Sequence, residues 1–300
     1  MLLHKLLWLQ VQNLVVSRVK VECLLANELI VDPGVLEQKL ARIRMVGLER
    51  FFVVADWDRT LTRAQTVDGE DTTSYLAVVQ GGYLGEGYRE EMDRLYREYR
   101  PIEVSQTASS EQKTEAMHNW WTAAFELMRT YGLTEVMVED VARRDLMRLR
   151  DGAVDFFAQL VDREIPLMIL SAGIGNVIAG FLRAGDLLTS NVCVVANVLK
   201  FDEGGMVDGF AEPVIHSLNK RVEIHCAGVD TLGCCLLLGD TLEDAQMVDG
   251  VDCEAVIRIG YLNEDVDKNC DAYLNVYDVL ICEDGDMKSV NQLLGGILAG

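Results

Sequence analysis

The feature of this sequence that most constrains its fold is a series of short, largely apolar runs that alternate with helix-like segments. The first run, Phe51–Ala55, ends on Asp56 and has the length and composition of a strand buried inside a parallel sheet. Similar runs occupy Leu167–Leu170, Val192–Ala196, Cys235–Leu238, Ala255–Ile259 and Ala272–Val276. Helical patterns lie at Val35–Val46, Ala153–Arg163, Asn176–Ala184, Lys220–Ala227 and Glu243–Val248. The alternation predicts an α/β fold with a doubly wound parallel sheet.

One long interval after the first strand lacks buried strands. Residues Tyr88–Tyr99, Glu111–Thr130 and Glu135–Arg148 have the pattern of charged amphipathic helices. We therefore predict an all-helical cap over residues 69–149, inserted into a core formed by residues 32–68 and 150–300. Residues 1–31 form an N-terminal extension whose role the sequence does not indicate. Because ligands of open α/β sheets bind beyond the carboxyl ends of the strands, such a cap would cover the site.

The charge and cysteine content restrict the partners of the chain. Acidic residues outnumber basic ones by 48 to 27, and the formal net charge of −21 disfavours bulk nucleic acid and anionic membranes as partners. The eight cysteines include no C-x-x-C spacing and indicate free thiols in a reducing compartment. No apolar stretch reaches the roughly 20 residues that a transmembrane helix needs. We expect a cytoplasmic protein that binds neither nucleic acid nor membrane.

Two carboxylates at the end of the first strand carry the clearest chemical signal. Asp56 and Asp58 are separated by one residue in a turn, so their like charges favour a cation between them. Hard oxygen ligands suit Mg²⁺, which would leave one carboxylate free to attack phosphorus. Taken alone, the pair is also compatible with solvated acids in an ordinary turn.

Three further segments add anion-binding and acidic groups at strand ends or loops. Ser171 and the Ala172 backbone follow the run Leu167–Leu170 and would present a hydroxyl and free N–H groups to an anion. Lys220 could neutralise charge that develops on a phosphate. Asp240 ends the run Cys235–Leu238, and a second acid, Asp244, follows four residues later. Asp240 would complete a metal site.

As a set, these pieces resemble the haloacid dehalogenase superfamily of phosphatases. Longer segments are similar to the cytosolic 5′-nucleotidase III family, also called the pyrimidine 5′-nucleotidases. The resemblance extends from about Asp32 to the C-terminus. The segments that carry it are Ser171–Gly175, Phe201–Glu203, His216–Lys220, Gly239–Asp244, Met247–Val251 and Gly260–Asn263.

The resemblance implies an aspartyl-phosphate mechanism acting on a nucleoside 5′-monophosphate. Asp56 would attack phosphorus, while Asp58 would protonate the leaving 5′ oxygen and later activate water. The Mg²⁺ ion would be held by Asp56, the Asp58 backbone carbonyl and Asp240, with Asp244 in the outer shell of the metal. The implied phosphate ligands are Ser171, the Ala172 backbone and Lys220. We expect the enzyme to act as a monomer.

The resemblance also places base recognition in the cap. Glu103 matches a family position that binds the base, and Trp121 and Ala124 match the next helix. Paired tryptophans followed by alanine resemble members that act on 7-methylguanylate, since Trp121 could stack on a cationic base. Thr66 or Val67 stands where the family places an opposing aromatic residue, which predicts a one-sided stack. We therefore expect a broad enzyme that hydrolyses CMP, UMP and 7-methylguanosine monophosphate.

Three substitutions depart from the family pattern and keep other functions open. Trp57 and Arg59 replace the usual Phe and Met, and Glu243 replaces a glycine. Arg59 could bind phosphate or pair with a nearby acid. The alternatives are a phosphatase for another small ester, such as phosphoserine, and a catalytically weak nucleotide-binding protein.

Overall fold

The computed structural model describes residues 22–299, with the exception of residues 26, 104, 106 and 223–230. Most of the N-terminal extension therefore lies outside the described residues, as does most of the helix predicted at Lys220–Ala227. Within the described part of the chain, no helix is long and apolar enough to cross a membrane.

A single large sheet and one separate hairpin contain the strands of the described residues. The strands are β1 (Glu22–Leu25), β2 (Glu28–Ile30), β3 (Phe51–Ala55), β4 (Leu167–Ile174), β5 (Val192–Asn197), β6 (Leu199–Phe201), β7 (Val207–Phe210), β8 (Thr231–Gly239), β9 (Asp252–Leu262) and β10 (Val279–Cys282). The order across the sheet is β1–β2–β10–β9–β8–β3–β4–β5, and β6 pairs with β7. The six neighbouring strands β10, β9, β8, β3, β4 and β5 run parallel to one another, whereas β1 and β2 are antiparallel to their neighbours. The predicted α/β class with a mostly parallel sheet is confirmed.

Helices and turns cover the two faces of this sheet. The helices are α1 (Pro33–Val46), α2 (Ser74–Gln80), α3 (Gly85–Glu103), α4 (Ser110–Thr130), α5 (Glu135–Arg143), α6 (Ala153–Asp162), α7 (Gly175–Ala184), α8 (Val266–Leu274) and α9 (Lys288–Leu298). Val53 packs in an apolar cluster with α1, α6 and α9, while its neighbour Val54 packs on the opposite face with Met247 and Tyr277. Both valines are fully buried, which contributes about 1.5 to 3 kcal/mol for each side chain.

One of the six predicted strands is wrong. The segment Ala272–Val276 lies at the end of helix α8 and in the turn after it, and the strand follows as β10. The physical reason is the spacing of the apolar side chains Val266, Cys270, Tyr273 and Leu274, which form one helical face against β10. The helix predicted at Glu243–Val248 is also wrong, because only a single turn forms there, at Asp244–Gln246.

The cap segment (residues 69–149) contains four helices, α2 to α5, in its described residues. Helix α2 was not predicted, and helix α5 ends at Arg143 rather than at Arg148. The hairpin β6–β7 packs on this segment, with the ring of Phe210 centred 4.9 Å from that of Phe125. Helices α2 to α5 therefore share their apolar cluster with a hairpin that follows them in sequence.

The two ends of the cap segment lie side by side. Thr62 and Leu149 form an antiparallel bridge, and the N–H of Arg63 donates to the carbonyl of Arg148 at 2.8 Å. The Arg150 N–H donates to the Leu61 carbonyl at 3.0 Å. The chain therefore leaves the sheet after β3 and returns to it at the same point.

Candidate active site

The parallel register of the central strands brings the predicted site residues to one edge of the sheet. Ala55 pairs with Leu238 on β8 and with Ile169 on β4. The next residue, Asp56, donates its backbone N–H to the Leu238 carbonyl at 3.0 Å. Asp56, Asp240 and the Ser171 region consequently lie at the carboxyl ends of adjacent strands, where open α/β sheets bind ligands.

Three carboxylates form a compact cluster at this edge. Asp56, Asp240 and Asp244 each place an oxygen within 4.8 Å of the others. Burial raises the pKa of Asp240 well above its usual range, and repulsion from Asp244 and Asp56 raises it further. A divalent cation would relieve that repulsion, and carboxylate oxygens are the ligands that hard cations prefer. The cluster therefore suits a divalent metal ion.

Lys220 lies against this cluster and is almost completely buried. Its Nζ donates to Asp56 Oδ1 at 2.5 Å and to Asp244 Oδ1 at 2.6 Å. Burial raises the pKa of Asp56 to about 7, although the Lys220 charge opposes that change. For Asp244, burial acts in the same direction but is outweighed by Lys220, so the pKa of Asp244 is lowered. The ammonium group thus links the end of β3 to the loop that follows β8.

The second oxygen of Asp244 is held by the turn that precedes it. Asp244 Oδ2 accepts the N–H groups of Asp240 at 3.1 Å and Thr241 at 3.0 Å. Gly239 permits this close packing, since a Cβ at that position would lie 2.3 Å from the Asp244 Cβ. Asp244 therefore orients both Lys220 and the Asp240 backbone.

The Asp58 carboxylate is not part of the cluster. Its Oδ1 accepts the Ser74 N–H at 2.5 Å, and its Oδ2 accepts the Ser74 hydroxyl at 2.7 Å. Burial raises the pKa of Asp58 to about 6, against the two hydrogen bonds from Ser74. An acid with a pKa near 6 can both give and take a proton near neutral pH.

The Ser171 segment lies next to Asp58. Ser171 is buried, and its Oγ accepts the Gly173 N–H at 3.0 Å. The Ala172 carbonyl accepts a hydrogen bond from Asn197 Nδ2 at 2.7 Å, which anchors the carboxyl end of β4. A Cβ on Gly173 would lie 2.0 Å from Ser74 Oγ and 2.5 Å from Asp58 Oδ2, so these side chains meet directly above the glycine.

Glu103 connects the cap segment to the loop that carries Lys220. It forms an ion pair with Arg100, and its Oε1 accepts from the Ser217 hydroxyl at 3.1 Å. Glu103 is half-buried at the end of helix α3. The carboxylate predicted to read the base therefore contacts Ser217, which precedes Lys220 by three residues in the same loop.

Trp121 and Ala124 lie on helix α4, and the ring of Trp121 has an edge-on contact with another aromatic ring. Tyr75 on helix α2 approaches it edge-on, with ring centroids 5.5 Å apart at an interplanar angle of 80°. Val67, by contrast, is 84% exposed. The one-sided stack remains a prediction, because an edge-on contact does not show which faces of a base would be covered. Tyr75 belongs to helix α2, which the sequence did not predict. Ala124 is buried among apolar residues of the cap segment.

The three departures from the family pattern have separate structural outcomes. Trp57 is buried in the core, where its ring meets Phe181 edge-on at 5.5 Å. Glu243 is exposed. Arg59 forms an ion pair with Glu264, and its Nε lies 3.8 Å from Asp240 Oδ2. Of the two roles considered for Arg59, the structure therefore favours pairing with nearby acids.

Sequence analysis missed Arg150, which fixes the turn after β3. Its guanidinium is fully buried and lies 3.8 Å above the ring of Tyr261. Its Nε donates to the Thr60 carbonyl at 2.7 Å, and its other nitrogens reach the Arg59 carbonyl and Asn263 Oδ1. Ser74 was missed as well. A Thr-Ser pair before the apolar residues of helix α2 was the available signal, because Thr73 caps that helix.

The parallel sheet, its acidic strand ends and the helical insertion define a hydrolase fold of the haloacid dehalogenase class. A HAD-family hydrolase from Salmonella enterica shares this fold with a TM-score of 0.55 at 11% identity, covering 97% of this chain and 94% of that one. Residues 59–298 match the family profile described as "Pyrimidine 5′-nucleotidase (UMPH-1)". The chain belongs to this pyrimidine 5′-nucleotidase family.

Individual relatives agree with the family assignment. The 7-methylguanosine phosphate-specific 5′-nucleotidase of Drosophila melanogaster is 32% identical over 271 residues, which cover 88% of this chain and 85% of the relative. The human protein of the same name is 30% identical over 279 residues, covering 91% and 93% of the two chains. The crystal structure of cytosolic 5′-nucleotidase IIIB bound to cytidine superposes with a TM-score of 0.81 at 29% identity, covering 97% of both chains. The protein is therefore a 5′-nucleotidase.

Proposed function

We propose that this nucleotidase is Mg²⁺-dependent and hydrolyses nucleoside 5′-monophosphates through an aspartyl-phosphate on Asp56. The observation that carries the proposal is the contact of the buried Lys220 with both Asp56 and Asp244, beside an acid, Asp58, held by Ser74. Asp56, Asp240 and the Asp58 backbone carbonyl would hold the ion, with Asp244 behind them. When bound, the ion would screen the negative charge of the phosphoryl group and of the attacking carboxylate.

The reaction would proceed in two steps on residues of this chain. A carboxylate oxygen of Asp56 forms a bond to phosphorus as the bond to the 5′ oxygen breaks, and Asp58 gives its proton to that oxygen. Asp58 then takes a proton from water, whose oxygen attacks phosphorus and releases inorganic phosphate from Asp56. Ser171, the Ala172 backbone and Lys220 bind the phosphate oxygens throughout.

For the base, we propose that both 7-methylguanylate and pyrimidine nucleotides are substrates. The names of the relatives include 7-methylguanosine phosphate-specific enzymes and a structure with cytidine. Trp121 and Tyr75 supply two aromatic rings, between which a base could stack once their edge contact opens. Glu103 would exchange its hydrogen bond from Ser217 for N–H donors of the base.

The division into a cap at residues 69–149 and a core at residues 32–68 and 150–300 is also a proposal. It is supported by the paired chain segments at Thr62 and Leu149. One chain supplies every residue of the proposed site, which is compatible with a monomer. We expect the enzyme to act in the cytoplasm, as the name of the cytidine-bound relative indicates for that protein.

Phosphate release from CMP, UMP, 7-methylguanylate and phosphoserine, each with and without Mg²⁺, tests this function. We expect the wild type to hydrolyse the three nucleotides only when Mg²⁺ is present. Asp56→Asn should show no turnover, because the amide keeps the shape of the side chain but is not a nucleophile. Preferential turnover of phosphoserine would favour the small-ester phosphatase. Nucleotide binding without turnover would favour the catalytically weak binding protein.

A further inference from the structure

Arg59 occupies a fixed position beside the carboxylate cluster. It has a left-handed backbone (φ 66°). Its N–H donates to Thr62 Oγ1 at 2.9 Å, and its carbonyl accepts from Asn263 Nδ2 at 3.0 Å and from Arg150. These contacts hold the Arg59 backbone in a conformation that is uncommon for a residue other than glycine. These backbone contacts therefore fix the position of the Arg59 Cα, from which the side chain extends.

The guanidinium of Arg59 lies between two acids of different exposure. It is hydrogen-bonded to Glu264, whose side chain is 52% exposed, while Asp240 on the other side is only 13% exposed. Its Nε is buried, has no hydrogen-bond partner among the described residues, and lies 3.8 Å from Asp240 Oδ2, beyond hydrogen-bond distance. The guanidinium is thus hydrogen-bonded to Glu264 and lies within ion-pair distance of Asp240.

The charge of Arg59 changes the balance at the cluster. Asp56, Asp240 and Asp244 are partly neutralised by Lys220, and Arg59 adds a second positive charge next to Asp240. A guanidinium stays protonated at all physiological pH values, so this charge is permanent. Because the site is largely buried, two cations near the same carboxylate repel each other more strongly than they would in water.

We propose that Arg59 weakens the binding of a divalent cation at the Asp56–Asp240–Asp244 cluster, and that Glu264 limits this effect by holding the guanidinium off Asp240. The inference rests on the proposed function only in placing the cation at this cluster. In this proposal Arg59 is a positioning residue, and its charge sets the concentration of free divalent metal at which the cluster is half occupied.

Direct metal binding tests the inference without any nucleotide. Free Mn²⁺ is followed by electron paramagnetic resonance as it titrates the full-length protein, and Mg²⁺ is then added as a competitor. We expect Arg59→Met to bind both ions roughly tenfold more tightly than the wild type, from the loss of a charge at short range. Arg59→Lys keeps the charge and should stay within about threefold of the wild type.

The Glu264 contribution is tested by a double-mutant cycle. Glu264→Gln should weaken metal binding about threefold in the wild-type background and clearly less in the Arg59→Met background, where only the loss of its own charge remains. Arg148→Met is the matched control, because it removes the same charge from a side chain that is 53% exposed and paired with Asp151. This control should change the affinity less than twofold.

The outcomes separate the inference from the proposed function. Metal affinity of Arg59→Met no higher than that of Arg148→Met would overturn the role of Arg59. An effect of Glu264→Gln that is equally large without Arg59 would overturn the role of Glu264. Failure of the wild type and of all variants to bind either ion would contradict the proposed metal site itself, and the inference with it. Thermal unfolding without metal verifies that each variant is folded.

Discussion

Ser74 donates both its backbone N–H and its hydroxyl to the carboxylate of Asp58, at 2.5 and 2.7 Å. Ser74 is the first residue of helix α2, whereas Asp58 belongs to the turn that follows β3. The Ser74 Oγ also accepts the Ile174 N–H at 3.2 Å. The orientation of the proposed general acid is therefore determined by the cap segment and by the carboxyl end of β4 together.

This contact predicts a severe effect of Gly173→Ala. The added Cβ would lie 2.0 Å from Ser74 Oγ, so it must push Ser74 and Asp58 apart. We expect kcat to fall by roughly 100-fold, as a misplacement of about 1 Å can cause, with little change in thermal unfolding. Gly209→Ala is the matched control, since no atom of the described residues lies within 4 Å of a Cβ there. Equal activity of the two variants would contradict the proposed role of Asp58.

Asp58→Asn should trap the covalent intermediate. Without a base to activate water, the aspartyl-phosphate on Asp56 should persist, and overall turnover should fall by roughly 10²- to 10⁴-fold. Acid quenching after incubation with nucleotide labelled in the phosphate measures the phosphorylated chain. Asp56→Asn, which lacks the attacking carboxylate, should show no label. Absence of label from every variant would count against a covalent route.

Trp121→Ala should reduce turnover of 7-methylguanylate more than turnover of CMP. Attraction between a cation and a ring adds about 0.5 to 2 kcal/mol only for the charged base, which corresponds to a selectivity change of roughly 2- to 30-fold in kcat/KM. Trp120→Ala is the control, because its ring stacks on Tyr99 at 6.1 Å instead of facing Tyr75. Equal losses for both nucleotides would show that Trp121 only packs in the cap segment.

Arg150→Met should destabilise the protein strongly. The substitution leaves buried carbonyl groups of Thr60 and Gly285 without this donor and removes one of the partners of Asp284. We expect a loss of about 3 to 5 kcal/mol in the free energy of unfolding, measured with urea. The exposed Arg148→Met should change it by less than about 0.5 kcal/mol. Similar values for both variants would mean that the Arg150 network does not hold the turn.

Glu28→Gln should make the protein less sensitive to rising pH. Burial raises the pKa of Glu28, although the hydrogen bond from Ser289 opposes this. The folded protein therefore holds the proton more tightly than the unfolded chain, and stability is lost as pH rises from about 4.5 through the folded pKa. Urea unfolding from pH 5 to 7.5 should show a growing advantage of the variant. Ser289→Ala should steepen the loss, and a pH-independent difference would contradict this account.

The sequence predicted a site residue correctly where a single strand or motif determines the position of that residue. Asp56 and Asp240 were predictable because each comes directly after a buried strand, and parallel strands bring their carboxyl ends together. The strand at Ala272–Val276 was misassigned because a short apolar run does not distinguish a strand from the last turn of a helix. In this case the packing of Tyr273 against β10 determines the outcome.

Residues that act across distant segments were beyond reach. Ser74 contacts Asp58 only because helix α2 begins beside the carboxyl end of β4. The Thr73-Ser74 pair indicates the start of a helix, but it does not encode that approach. Arg150 resembled any other arginine in a charged stretch, yet it binds carbonyl groups 90 and 135 residues away in sequence. The pairing of Arg59 with Glu264 across 205 residues is of the same kind.

The hydrogen bond between the Arg63 N–H and the Arg148 carbonyl has a consequence for how the chain can be rebuilt. Since the segment between them departs and returns at neighbouring backbone positions, a tight turn is long enough to reconnect the sheet in its absence. The segment between Arg63 and Arg148 could in this sense be removed or replaced without moving the flanking backbone. A chain shortened in this way would keep the strand ends that carry Asp56 and Asp240, but it would lose Ser74 and with it the clamp on Asp58.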